Sequence, residues 1–311
     1  MPPSMRSATA HVVLALGLTC STMLTSCANP DDGAEGETGV SSEKILTELT
    51  TDPEIAAMVP KEIADRGSIT VAVNPSSPPI KFLDGEGQIT GFTPQLITAA
   101  GTLMGLEVDL RQTSFDALVP GLEARRFDII LSINDLPERR KQIDFIDYLK
   151  TGTAILGAAG LDQDQVTPET LCGHSIGYVR GNTQQSLVER AGRDCAADGK
   201  AAVQGTGFQD LNAALLAVQS GQVELAWGDA SSVSYNVETN DGVYKLLYRE
   251  ISGMYGVGVN KEDAELRDAL HAALRRSVES GAYQALLEDY GLAESSLPEL
   301  PLNAGPADDG A

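Results

Sequence analysis

An α/β protein built from two similar halves is the fold this sequence predicts, and three observations predict it. The order β-α-β-α-β occurs twice along the chain. The second helix, turn and strand of each half share their phrasing, FDALVPGLEARRFDIIL in the first and DLNAALLAVQSGQVELAW in the second. A length of 311 residues with 42 % hydrophobic composition provides enough chain for two domains. Such an order implies parallel strands joined by crossover helices.

In the first half, Thr70 to Asn74 is a β-rich run stopped by Pro75. Thr93-Pro94 supplies an N-cap and a first-turn proline, and Leu96, Ile97, Ala100 and Met104 then recur at helical spacing up to Gly105. Leu106 to Gln112 alternates as a strand, Phe115 to Ala124 forms an amphipathic helix, and Phe127 to Ser132 is a continuously apolar strand. The second half repeats the order. Strands are predicted at Ser175 to Tyr178, Ala201 to Gln204 and Val223 to Gly228, with helices at Thr183 to Ala191 and Asp210 to Ser220. Gly256-Val257-Gly258-Val259 reads as a hinge or turn. Helices follow from Ala264 to Glu279 and Ala282 to Tyr290, and the Pro- and Gly-rich segment 299–311 reads as a loose tail.

The N-terminus has the pattern of a processing signal. Arg6 precedes an apolar stretch, His11 to Leu24, that is too short to span a bilayer. It ends in Leu24-Thr25-Ser26-Cys27, which resembles a bacterial lipobox, so residues 1–26 read as a lipoprotein signal peptide and Cys27 as the lipidated residue. An ordinary secretory peptide with an accidental cysteine is the alternative. Residues 27–43, polar and acidic, read as a flexible tether between a membrane anchor and a globular body. Two cysteines remain after such processing, and in an exported chain Cys172 and Cys195 form a structural disulfide.

Charge and motif content exclude several functions. A formal net charge of −22 argues against a nucleic-acid partner, and the longest basic run is Arg139-Arg140-Lys141. No GxSxG, HExxH or Walker pattern occurs. His174, at a strand start, and His271, inside a helix, make no catalytic set. Two cysteines beside His174 leave a metal site incomplete, so no metal or other cofactor is expected.

Several blocks in order then carry a resemblance: SITVAVNPSSPPIKFLDGEGQITGF, FDALVPGLEARRFDIILS, LPERRKQIDF, LCGHSIGYVRGNTQ, LAWGDASSVSY and YGVGVNKEDAELRDAL. From about Glu54 to Leu292 the chain resembles the family 3 extracellular solute-binding proteins, the polar amino-acid-type receptors of ABC importers. DPEIAAMVPKEIADRG and the LCG…C pair look like the actinobacterial-type lipoprotein branch. The resemblance implies a type II periplasmic-binding-protein fold, a two-lobed clamshell with parallel-rich mixed sheets. Lobe 1 would hold residues 44–151 and 253–298, and lobe 2 residues 152–252. Hinge strands would lie near Lys150–Gly152 and Ser252–Tyr255.

The same resemblance implies a ligand set. Arg139 would clasp an α-carboxylate through its planar guanidinium; a surface arginine is the plainer reading. Asp229, at the end of VELAWG, would receive an α-ammonium, unless it only caps the next helix. Asn182 and Thr183 lie in the turn that meets the carboxylate at a helix start, and Thr183 could also be its N-cap. Phe115 occupies the place of an aromatic against the ligand, or belongs to the core. Asp135 and Glu138 have capping-box spacing, and Trp227 reads as core. Departures from the family pattern fall on the lobe 1 wall. Ser77 stands near a usual stacking aromatic, Ile80 follows the prolines, and Leu136 replaces a usual threonine in the shortened stretch after Ser132, where Asn134 substitutes for the lost hydroxyl.

The function implied is a lipid-anchored, monomeric receptor on the outer face of the cell membrane. It would capture a small polar solute, an amino acid or related amine, and deliver it to ABC permease subunits. The alternatives are a dehydratase-like enzyme on the same fold and a sensor lipoprotein without a transport role.

Overall fold

Two strands long enough to serve both halves organise the molecule. The computed structural model describes residues 41–306; the segment read as a signal peptide, the lipobox-like stretch with Cys27 and most of the expected tether lie outside the described residues. Three short helices come first: α1 (Ser42–Glu48), α2 (Pro53–Ala56) and α3 (Lys61–Arg66). Asp52 caps α2 by accepting from the amides of Glu54 and Ile55 ahead of Pro53 at the first helical position. The helix α1 begins inside the last two residues of the segment read as tether.

The first half continues with β1 (Ser68–Val73), a small antiparallel sheet of β2 (Ser76–Ser77), β3 (Lys81–Leu83) and β4 (Ile89–Thr90), then α4 (Phe92–Met104), β5 (Glu107–Gln112), α5 (Leu118–Glu123) and β6 (Ile129–Asn134). The strand β7 (Ile143–Ala158) leads into the second half: β8 (Ser175–Val179), α6 (Thr183–Ala197), β9 (Gln204–Phe208), α7 (Leu211–Gln219), β10 (Leu225–Asp229) and α8 (Ala230–Thr239). The strand β11 (Tyr244–Asn260) returns the chain to α9 (Ala264–Glu279) and α10 (Ala282–Asp289).

One eight-stranded mixed sheet results, in the order β5-β1-β6-β11-β7-β10-β8-β9. The outer trios are parallel, as the crossover helices require, while β7 and β11 pair antiparallel along their length. Their register sets Gly152 against Ile251, Thr151 against Gly253 and Leu149 against Tyr255, so the two expected hinge segments face each other. The ladder is interrupted between Ile251 and Gly253 and again between Tyr255 and Gly256. Such irregularities weaken pairing locally and bend the strands.

Apolar stripes of α4, α9 and α10 cover the first half, where Leu96, Ile97, Leu270, Leu274 and Leu286 are buried with Val71 and Val257. Each such side chain contributes about 2 kcal/mol on burial. Trp227, Leu171, Ile176 and Val188 fill the second half. A third cluster joins Phe115, Leu118 and Leu122 of the first half to Leu211 and Leu215 of the second, so the halves are in contact.

The bond between Cys172 and Cys195 is present and ties the last turn of α6 to the start of the second half. In the chain-entropy picture a loop of this size contributes roughly 3 kcal/mol.

Several expectations are corrected. The helix α4 is capped by Gly91, not Thr93, whose hydroxyl bonds elsewhere. The strand expected at Ala201 to Gln204 begins three residues later, on the glycine-rich QGTGF of β9 (Gln204–Phe208). A β-carbon at Gly207 would meet the Arg180 side chain at 2.7 Å, and only glycine lets this strand lie so close. The segment Gly256-Val257-Gly258-Val259 is strand, the end of β11, not a turn. The capping box proposed for Asp135 and Glu138 does not form, because the following turn is a short 3₁₀ segment without a side-chain cap.

The C-terminal segment is docked rather than loose over 299–306. In the first half β7 has β11 on one side only, which leaves an open edge. The tail closes it: the Asp147 amide donates to the Pro301 carbonyl (2.9 Å), the Asn303 amide to Phe145 (3.1 Å), and His271 meets the Leu300 carbonyl (2.9 Å). Prolines suit this place, since their carbonyls accept while the tail's outer side needs no donors.

Candidate functional site

Strand C-termini of an open α/β sheet converge on a crevice, and here β1, β6, β8 and β10 all end toward the seam between the halves. Along this seam the expected ligand residues fall into three linked groups.

At the first, Arg139 follows β6. Its Nη1 donates to the Asn134 carbonyl (2.9 Å) and its Nη2 crosses to the Gly181 carbonyl of the other half (3.1 Å). The guanidinium stands over the Phe115 ring, 5.7 Å from its centroid. Burial lowers the Arg139 pKa, and the charges of Glu138 and then Asp229 favour the cation. A second bridge joins the Asn134 side-chain amide to the Thr183 hydroxyl (2.8 Å). Asn182, not Thr183, is the N-cap residue of α6, its side-chain oxygen accepting from the Thr183 amide (2.8 Å). That leaves the Thr183 hydroxyl facing the first half. A hollow of about 350 Å³ opens beside this group, lined by Phe115, Glu138, Arg139, Gln142 and Gly181.

Asp229 anchors the second group. It ends β10 at the N-cap position of α8, yet its side chain makes no capping bond, so helix capping does not account for it. The carboxylate is 6 % exposed and accepts from Gln184 Nε2 (3.3 Å). Gln184 also reaches the Thr153 hydroxyl (3.2 Å), to which the Trp227 indole N–H donates. Trp227 is therefore core and a positioning residue at once. Its network holds Gln184, and Gln184 holds Asp229.

The third group lines the first half. Ser132 sits in β6 with φ of 51°, at the point where the pairing with β11 slips between Gly256 and Gly258. A serine in left-handed backbone is costly and persists where its surroundings hold it. Its hydroxyl bonds to Thr93 Oγ1 (3.1 Å) and accepts from Tyr148 (2.8 Å). Ser77 is buried in β2, directly across from Lys81 of β3.

Sequence reasoning assigned no ligand role to Lys81, Tyr255, Thr151 or Gln184, although Gln184 ends the turn at 181–184 and Thr151 and Tyr255 fall in the expected hinge segments. Lys81 is 1 % exposed, with Nζ 5.6 Å from the centroid of the Tyr255 ring. Burial brings its pKa down to about 8 against the raising pull of Asp229. Burial and the charge of Asp229 together hold the Tyr255 phenol well above its ordinary value. Among the described residues, the Tyr255 hydroxyl, Thr151 Oγ1 and Gln184 Oε1 are buried without a hydrogen-bond partner. The one signal in the sequence was a lysine set between Ile80 and Phe82 in a strand-like run. Tyr255 and Thr151 carried none for the site, because they approach Asp229 only through the pairing of β7 with both β10 and β11.

Larger hollows lie elsewhere, about 610 Å³ between Glu48–Glu54 and Arg276, and about 490 Å³ beside the disulfide. Neither gathers unpaired buried polar atoms, so the seam is the better candidate. No group of three or more metal-ligating side chains occurs among the described residues, and no helix among them is long and apolar enough to cross a membrane.

Comparison with known proteins gives concordant results. Residues 69–293 match the family described as bacterial extracellular solute-binding proteins, family 3. The arginine-binding protein ArgT of Corynebacterium glutamicum is 30 % identical over 258 residues, covering 82 % of this chain and 84 % of that one. The histidine-binding periplasmic protein of Escherichia coli K12 is 27 % identical, covering 72 % and 87 %. Among solved structures, an ancestral arginine-binding protein bound to arginine superposes with a TM-score of 0.66 at 26 % identity, covering 72 % of this chain and 98 % of that one.

Proposed function

Since the chain belongs to the family 3 bacterial extracellular solute-binding proteins, we propose that it captures an amino acid between its two halves and delivers it to an ABC importer. The observation that carries this reading is Asp229, a buried carboxylate at a strand end that is not spent on capping its helix. In this reading Asp229 receives the α-ammonium. Arg139, with Thr183 and the N-terminus of α6 capped by Asn182, receives the α-carboxylate. Phe115 closes one side, while Ser132, Asn134 and Ser77 form the polar wall of the first half. A ligand bearing both charges ties residues from opposite halves and favours the closed state.

Every residue of this site comes from one chain, which suits a receptor that acts as a monomer. Export with lipid attachment at Cys27 would hold it on the outer face of the membrane, beside its permease. The named relatives are binding proteins, and we read this chain likewise, not as an enzyme. An ancestral amino acid-binding protein described as a precursor of cyclohexadienyl dehydratase shares the fold at 24 % identity, which supports no catalytic role.

Thermal denaturation against a panel of amino acids tests the proposal. A ligand at a hundred times its dissociation constant adds about 2.7 kcal/mol to the folded state. The expected result is a shift with at least one amino acid that disappears in Asp229→Ala. A shift that survives this substitution undiminished removes Asp229 from the site, and no shift with any amino acid refutes the receptor.

A further inference from the structure

A buried lysine without a partner is the least expected feature of the seam. Lysine is almost never fully buried unless paired, yet Lys81 is 1 % exposed and has no ion pair or hydrogen bond among the described residues. We propose that the ligand is an acidic amino acid, and that Lys81 receives its second, side-chain carboxylate. This rests on the reading above, in which Asp229 and Arg139 take the α-groups.

The argument is one of charge and of donors. The backbone of an α-amino acid carries one positive and one negative charge, which Asp229 and Arg139 match. Asp229, whose charge favours the Lys81 cation, is taken up by the ligand's α-ammonium in this reading, so Lys81 is then a surplus cation in the same site. Lys81 with a pKa near 8 is still mostly charged at neutral pH. Tyr255, whose ring lies beside the ammonium, stays neutral because burial and Asp229 oppose its ionisation.

The donors agree with this assignment. The hydroxyls of Tyr255 and Thr151 are buried beside each other and beside Asp229, without a hydrogen bond of good geometry. An ammonium and two hydroxyls form a donor set that a carboxylate satisfies. A cationic side chain, such as that of the arginine for which one relative is named, would instead meet like charge in a desolvated site. The proposed ligand class therefore differs from the names of the relatives above.

Calorimetric titration of the full chain in detergent with L-glutamate, L-aspartate, L-glutamine and L-arginine decides the matter. Glutamate or aspartate is expected to bind at least about tenfold tighter than glutamine or arginine, equivalent to about 1.4 kcal/mol. Lys81→Met, close in size and without the charge, is expected to erase that preference while glutamine binding persists or improves. If arginine or glutamine binds as tightly as the acidic pair, the Lys81 assignment is wrong and the amino-acid receptor stands. An acidic preference unchanged in Lys81→Met also overturns the assignment. If none of the four binds to chain that melts cooperatively, the proposal fails, and the wider amino-acid panel then tells whether the receptor reading fails with it. Were Lys81→Met not to fold, the ranking of the four ligands on the unsubstituted chain still decides.

Discussion

The Arg139 side chain, on the turn after β6, donates to the carbonyl of Gly181 in the other half at 3.1 Å. Arg139 is thereby a bridge across the seam, parallel to the Asn134–Thr183 contact. A guanidinium has five donors, so it can hold carbonyls on two arms and still present N–H groups to a carboxylate. A residue read first for ligand capture also ties the two halves together.

Arg139→Ala is accordingly expected to act twice. Truncating a charged group that faces a bound carboxylate typically costs about 2–5 kcal/mol, or roughly 30-fold and more in affinity. The loss of the Gly181 bridge is expected to raise the radius of gyration of the ligand-free protein in small-angle scattering. Unchanged affinity would exclude Arg139 from the site.

Gly152 tests the hinge. A β-carbon there would come within 1.8 Å of the Glu250 carbonyl oxygen, so β7 and β11 approach at this place only because it is glycine. Gly152→Ala is expected to destabilise the protein by about 1–3 kcal/mol and to shift the balance of open and closed forms. Urea unfolding and small-angle scattering read the two effects. A variant with native stability and native scattering would place the hinge elsewhere.

The pH dependence follows from Asp147. Burial, and then the nearby Asp135 charge, raise its carboxyl from an ordinary 3.8 to about 7, although the Ala304 amide and Arg140 favour the charged form. The folded protein therefore binds a proton that the unfolded chain has already released between these values. The stability this provides is full at low pH and is lost as pH rises from about 4 toward 7, with a limiting slope of about 1.4 kcal/mol per pH unit. Asp147→Asn is expected to flatten that decline in urea unfolding curves taken from pH 4 to 8. A pH profile that Asp147→Asn leaves unchanged would remove the carboxyl as its cause.

Local order and periodicity determined the α/β class, the repeated halves and the approximate place of most helices and strands, because apolar spacing states which face must be buried. Asp229, Arg139, Asn134 and Thr183 were named as candidates from their places in recognisable blocks, and the structure brings them to one seam; the cysteine pair was legible from its number. What lay beyond the sequence depended on long-range register. Leu297 to Pro306 looks unstructured in isolation and is ordered only because β7 presents an open edge in the first half. Thr93 looks like a cap, but Tyr148 and Ser132 claim its hydroxyl from 55 and 39 residues away. Lys81 looks like a surface lysine between two apolar neighbours. Its burial, with Nζ beside the Tyr255 ring, is a contact between segments far apart in the chain, which no local pattern encodes. The sequence by itself thus determined the scaffold and the ends of the clamp, and tertiary structure decided which charges are desolvated together, because desolvation depends on everything that packs around a group and not on its neighbours along the chain.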